Sequence, residues 1–294
     1  MTGQQVHKLR ILANWRRIVP TMVTLSALFF GFASILSTIE AMRLDVPALL
    51  GRSAQYIMLA LILDGLDGNV ARWLKGTTEF GAELDTFVDF LAFGVAPAAL
   101  LYVMLIHGPS PFWRTILPSA IVFSGALRLS RFRLKDPLRG QGGFIGLPIT
   151  VNSSWIALAA FAAQIMYPEG HILVTGPVSI VFQFLILVMI SLQLSNLRYP
   201  KPSNKVRFFA PAVLAVLLLW ALSETYAAWI ATALVFGCLT YVLTGPMIHK
   251  RSALRQPGSA CTPRCRDGRQ RRKLHSPRRE GAGRCFTHGR NQAF

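Results

Sequence analysis

The sequence predicts an all-α protein, a polytopic membrane bundle of about eight transmembrane helices preceded by a helix lying on the membrane surface. Three observations carry this prediction. Hydrophobic residues make up 52% of the 294 positions, and the mean hydropathy is +0.43. Apolar runs recur along the chain, many of them about twenty residues long, which at about 1.5 Å per helical residue crosses the roughly 30 Å hydrocarbon core. The Lys and Arg residues of positions 1–251 fall between those runs rather than inside them. A soluble domain of this length would not carry such a series, so the soluble classes are excluded.

In residues 1–19, Lys8, Arg10, Arg16 and Arg17 interleave with Val6, Leu9, Ile11, Leu12, Trp15 and Ile18. That spacing suits an interfacial amphipathic helix with Trp15 at headgroup level. No small-residue cleavage site follows, so no signal peptide is expected. The transmembrane domain is expected over 20–251, with spans near 20–39, 54–71, 83–105, 113–131, 147–167, 174–194, 207–223 and 225–247.

The charges between the spans set the topology. With the N-terminus in the cytoplasm, the inner segments hold seventeen Lys and Arg, whereas the outer loops hold only Arg43, Arg52 and Arg114. This positive-inside bias orients the chain and places the loop after the second span in the cytoplasm. Residues 252–294 differ in kind: they are rich in Arg, Gly, Pro and Ser, and eleven Arg and Lys stand there against Asp267 and Glu280. Such a segment cannot bury a core and is expected to be a basic disordered tail. The formal charge of +18 divides equally between tail and membrane domain. Nucleic acid is not an expected partner, because the membrane-domain share is span-flanking charge. Cys238 lies within an apolar run, and Cys261, Cys265 and Cys285 lack the paired ligand spacing of a zinc site. His7, His107, His171 and His249 fall at expected span ends or loops and carry no assigned chemistry.

One stretch breaks the apolar pattern. Six of the thirteen acidic residues, Asp64, Asp67, Glu79, Glu83, Asp85 and Asp89, crowd between the runs 56–63 and 90–105. Carboxylates at the edge of a hydrocarbon segment are costly and are kept for function. On a helix, Asp64, Asp67, Gly68, Ala71 and Lys75 share one face, and Gly81, Asp85 and Asp89 share one face of the next helix. Two such helices joined by a short cytoplasmic turn would bring four carboxylates together, an arrangement that needs cationic balance. Mg²⁺ or Mn²⁺, with oxygen ligands shared between protein and phosphate, is the natural counter-charge. Gly68 and Ala71 remove bulk where a flat or phosphorylated ligand must approach the backbone, and Arg72 adds a phosphate-directed fork.

The pattern Asp64-x2-Asp67-Gly68-x2-Ala71-Arg72-x8-Gly81-x3-Asp85-x3-Asp89 resembles the signature of the CDP-alcohol phosphotransferases at every defined position. The segments Phe93-Gly94-Val95-Ala96-Pro97, Leu127-Arg128-Leu129-Ser130-Arg131-Phe132, Phe144-Ile145-Gly146-Leu147-Pro148 and Ser195-Asn196-Leu197-Arg198-Tyr199-Pro200 resemble the bacterial branch that uses serine as acceptor. Two positions depart: Thr21 follows Pro20 where Asn is common, although Thr24 fits, and Arg133 follows Arg131-Phe132 where Asn is usual. The resemblance spans roughly residues 10–250.

The resemblance implies a homodimeric enzyme of the cell inner (cytoplasmic) membrane, its site facing the cytoplasm. It would move a phosphatidyl group from CDP-diacylglycerol to the hydroxyl of L-serine and release CMP. It implies two divalent ions held by Asp64, Asp67 and Asp85, with Asp89 reaching the second ion and acting as general base. Gly68, Ala71, Arg72 and Gly81 would line the nucleotide, with Asp64 at its phosphates. Arg128 and Arg131, one turn apart, serve either as phosphate or carboxylate ligands or as positive-inside anchors. Glycerol phosphate, inositol phosphate or choline remain open as acceptors. A transporter with intramembrane acids is the competing class.

Overall fold

The computed structural model describes residues 3–108, 110–134, 143–167, 173, 176–200 and 224–254. These form α1 (Gly3–Leu44), α2 (Ala48–Leu74), α3 (Glu79–Phe90), α4 (Ala96–Met104), α5 (Pro111–Leu134), β1 (Gly143–Ile145), α6 (Ile149–Met166), α7 (Gly176–Leu194), β2 (Arg198–Pro200) and α8 (Glu224–Leu254). A π turn, Leu91–Val95, joins α3 to α4 without interrupting the helix. The fold is an all-α membrane bundle, as the sequence predicts.

Six segments are long and apolar enough to cross a bilayer: Ile18–Leu44, Ala48–Leu74, Glu79–Met104, Ile149–Met166, Gly176–Leu194 and Tyr226–Pro246. Among the described residues the count is therefore six, where the sequence predicts eight. The expected span 113–131 is the helix α5, which packs among the others but carries Arg114, Arg128, Arg131 and Arg133 and is too polar to join the six. The expected span 207–223 and the tail from 255 onward lie outside the described residues. The surface helix expected over 1–19 and the span expected over 20–39 run on as the single helix α1, through Pro20.

Hydroxyl groups fasten α1 to α2. Ser34 Oγ and Thr38 Oγ1 lie 2.8 and 2.7 Å from Ser53 Oγ, all three residues being buried. In hydrocarbon such interhelical bonds contribute roughly 0.6 kcal/mol each, and the small side chains let the backbones approach. Ile57, Met58, Ala157, Phe161 and Ala231 unite α2, α6 and α8 in one apolar cluster. Leu101, Leu117, Trp155 and Phe182 unite α4 to α7 in a second, with the Trp155 and Phe182 rings stacked at 5.2 Å. Outward positions such as Phe29, Ile180, Trp229 and Leu243 are apolar and exposed, as a lipid-facing surface requires.

The π turn has a local cause. Pro97 has no N–H for the Phe93 carbonyl and its ring crowds that carbonyl, and in the widened turn just before it Ala96 N bonds to Leu91 O, five residues back, rather than to Ala92 O. Against this wide turn α1 presents Gly31, where a Cβ would stand 2.8 Å from Ala92 Cβ and 2.9 Å from its Cα. Only glycine admits so close a crossing.

Candidate active site

The sequence supplies both ends of the turn between α2 and α3. Lys75 adopts a left-handed conformation (φ 52°), and Gly76 N bonds back to Ala71 O at 3.0 Å, which ends α2. Thr78 then starts α3 as its N-cap, its hydroxyl accepting from Gly81 N at 3.0 Å. Three residues therefore suffice to reverse the chain after Lys75, and the two acidic helix faces meet.

They meet closely. Asp64 and Asp67 from α2 and Asp85 from α3 each present a carboxylate oxygen within 4.8 Å of the other two. Asp89, one turn beyond Asp85, brings its side chain against Asp64, and its Oδ1 is buried without a protein partner. Asp67 is 5% exposed and accepts a 2.7 Å hydrogen bond from Thr24 Oγ1 on α1, which fixes its orientation. Hard oxygen ligands from two rigid helices at this spacing fit a divalent cation. A cation held by this donor set would also explain how like charges coexist at a membrane-embedded position.

The remaining candidates divide into three groups. Gly68 is exposed, and a Cβ there would meet nothing within 4 Å, so the space over the carboxylate face of α2 is open. Arg72 is also exposed at the helix end, with Nη2 donating to Asn69 Oδ1 at 2.8 Å, while Asn69 is itself tied to Gly65 O. Gly81 is committed to the cap at Thr78, and Ala71 is half-buried.

Arg128 and Arg131 differ sharply despite being one turn apart. Arg128 is 8% exposed, its Nε has no partner, and its charge lies within electrostatic reach of Asp89 and Tyr241. Arg131 is spent on structure. Its guanidinium donates to Leu194 O, Ser195 O, Ile145 O and Asn196 Oδ1 at 3.0 to 3.4 Å. It thereby ties α5 to the end of α7 and to the antiparallel ladder in which Phe144 pairs with Tyr199. Gly146 completes this clasp with φ +76°, where a Cβ would lie 2.5 Å from Gln193 O.

Several contacts near the site have no signal in the linear sequence. Arg133, at the end of α5, pairs with Glu83 and donates to Ala82 O at 3.1 Å, holding the first turns of α3. Asn152 Nδ2 donates to Gln193 Oε1 at 3.0 Å deep in the bundle. The partnership of Thr24 with Asp67 was open to inference only through the family pattern, because the two residues are 43 positions apart.

The same region is the one that known proteins share. The family model described as CDP-alcohol phosphatidyltransferase matches residues 17–238, from the start of the α1 span into α8. The chain is 28% identical over 236 residues to a CDP-diacylglycerol–serine O-phosphatidyltransferase of Helicobacter pylori, covering 76% of this chain and 91% of that protein. It is 33% identical over 203 residues to the enzyme of the same name from Methanocaldococcus jannaschii, covering 66% and 87%. With the one from Saccharomyces cerevisiae it shares 30% over 191 residues, covering 59% and 67%. A carboxylate cluster seated between two membrane helices, within a match over most of the chain, makes this protein a membrane enzyme of the CDP-alcohol phosphatidyltransferase family.

Proposed function

We propose that the protein transfers the phosphatidyl group of CDP-diacylglycerol to the hydroxyl of L-serine, yielding phosphatidylserine and CMP. The observation that carries the reaction class is the convergence of Asp64, Asp67 and Asp85 within 4.8 Å, beside Asp89. The acceptor rests on the names of the relatives at 28–33% identity and on the segments around Phe93–Pro97 and Arg128–Arg131.

In this reading Asp64, Asp67 and Asp85 hold Mg²⁺ or Mn²⁺, with Asp89 reaching a second ion. Bound divalent cations would polarise the diphosphate and stabilise the departing CMP. Asp89 accepts the proton of the serine hydroxyl as its oxygen attacks the phosphatidyl phosphorus. One P–O bond forms to serine, the P–O bond to CMP breaks, and the buried unpartnered Oδ1 of Asp89 is the atom suited to receive the proton. Gly68 and Ala71 leave room for the nucleotide over α2, and Arg72 meets its phosphates at the open end. Arg128, buried and charged beside Asp89, orients the acceptor through its carboxylate. The positive-inside bias supports a cytoplasm-facing site in the inner membrane, where a polar alcohol and a lipid donor meet.

The test is incorporation of labelled serine into lipid by purified protein supplied with CDP-diacylglycerol and Mn²⁺. Lipid-soluble label together with stoichiometric CMP is the expected result. CMP formed without serine-labelled lipid would overturn the acceptor, and absence of CMP would overturn the reaction.

A further inference from the structure

Along the seam between α1 and α3 the surface carries two open grooves outside the carboxylate cluster, lined mostly by exposed residues. One, of about 430 Å³, is lined by Ile18, Thr21, Met22, Thr78 and Phe80. The other, of about 370 Å³, is lined by Leu25, Leu28, Phe29, Phe32 and Leu91. On α1 the lining positions recur at three- and four-residue spacing, so both grooves lie on one helix face, over a track of about 21 Å from position 18 to 32. On the opposite wall they advance in the same sense, from Phe80 to Leu91.

Three features give this track a direction. It starts beside the site, because Thr24 borders the same face and its hydroxyl holds Asp67 at 2.7 Å. Its first groove carries two threonines, whereas every residue lining the second is hydrocarbon. Its floor is closed where Gly31 touches Ala92, while Phe29 and Phe32, 66% and 51% exposed, leave the outer side open to lipid. A cleft that is polar beside a phosphate-handling centre and apolar beyond it fits an amphiphile whose head is processed and whose tail is not.

We propose that this seam binds one acyl chain of the donor lipid, with its glycerol end between Thr21 and Thr78 and its chain running past Leu25, Leu28 and Phe32. The inference rests on the donor being a CDP-linked diacylglycerol. It makes the seam a determinant of acyl-chain length, separate from the residues that perform the transfer.

The test compares wild type and Leu28→Trp on CDP-dipalmitoylglycerol and CDP-dioctanoylglycerol, reading CMP release with serine. The indole obstructs the second groove, so kcat/KM for the long-chain donor falls roughly threefold, because the displaced chain passes into surrounding hydrocarbon and only its packing contacts with the protein are lost. The short-chain donor, ending before the obstruction, changes far less. Equal loss on both donors overturns the proposal. Labelling wild-type protein with a CDP-diacylglycerol bearing a photoactivatable group at the acyl terminus gives an answer independent of variant folding and of turnover. Adducts on residues 25–32 or on Leu91, suppressed by unlabelled donor, support the seam. Adducts confined to other helices, or a seam covered by a second copy of the chain, overturn it. Labelling in the seam with no CMP release would retain the binding site and reject the functional reading.

Discussion

Thr24 Oγ1 stands 2.7 Å from Asp67 Oδ2, a buried hydrogen bond joining α1 to the carboxylate face of α2. The same hydroxyl lies 3.1 Å from Pro20 O, a second acceptor for its single proton, and the shorter distance to the charged carboxylate favours Asp67. Loss of a group that orients a ligand from behind typically costs about 10- to 100-fold in metal affinity. Thr24→Val keeps the shape and removes the donor. The half-saturating Mn²⁺ concentration for CMP release is expected to rise about tenfold or more. An unchanged metal titration would show that Asp67 needs no such support.

Asp89→Asn preserves volume and removes the ability to take a proton. Transfer is expected to fall by about 10²- to 10⁴-fold, the usual contribution of a positioned general base. Binding of CDP-diacylglycerol, followed by displacement of a labelled donor, should remain measurable because Asp64, Asp67 and Asp85 are intact. Near-normal turnover would reject Asp89 as the base.

Removal of divalent cations by EDTA should stop CMP release, and Mn²⁺ or Mg²⁺ should restore it. The convergence of three carboxylate oxygens within 4.8 Å is hard to reconcile with full activity in metal-free buffer, and that result would reject the metal reading.

The clasp around Arg131 makes a different prediction. Gly146→Ala forces a side chain into a left-handed backbone conformation and against Gln193 O, which costs about 1–3 kcal/mol from the backbone alone. Arg131→Lys replaces a fork with four oxygen partners by a single ammonium. Both variants should melt at lower temperature in detergent, and Arg131→Lys should leave the KM for serine nearly unchanged. A raised KM with an unaltered melting temperature would return Arg131 to the substrate.

How much of this was legible in the sequence follows from the range of each interaction. The convergence of the carboxylates was readable because Asp64 and Asp67, and then Asp85 and Asp89, are neighbours on single helices, and a short capped turn sets the helices face to face. Among the described residues, six of the expected spans were readable from apolar runs, with α5 the exception, because its four arginines make it too polar to count as a span. The separate uses of Arg128 and Arg131 could not be read, because the carbonyls that claim Arg131 come from residues 14 to 65 positions away. The π turn was implicit in Pro97, but its consequence, the tight crossing at Gly31, depends on which helix packs there. Arg133 was visible as a departure from a family pattern, and its engagement with Glu83 and Ala82 only in three dimensions.

The most direct test of the account is an acceptor screen. Purified protein in detergent, with CDP-diacylglycerol and Mn²⁺, is given L-serine, glycerol phosphate, inositol phosphate or choline, and both CMP and the lipid product are measured. Serine alone should drive stoichiometric release of CMP with formation of phosphatidylserine. CMP release driven by another alcohol, with none driven by serine, would contradict it.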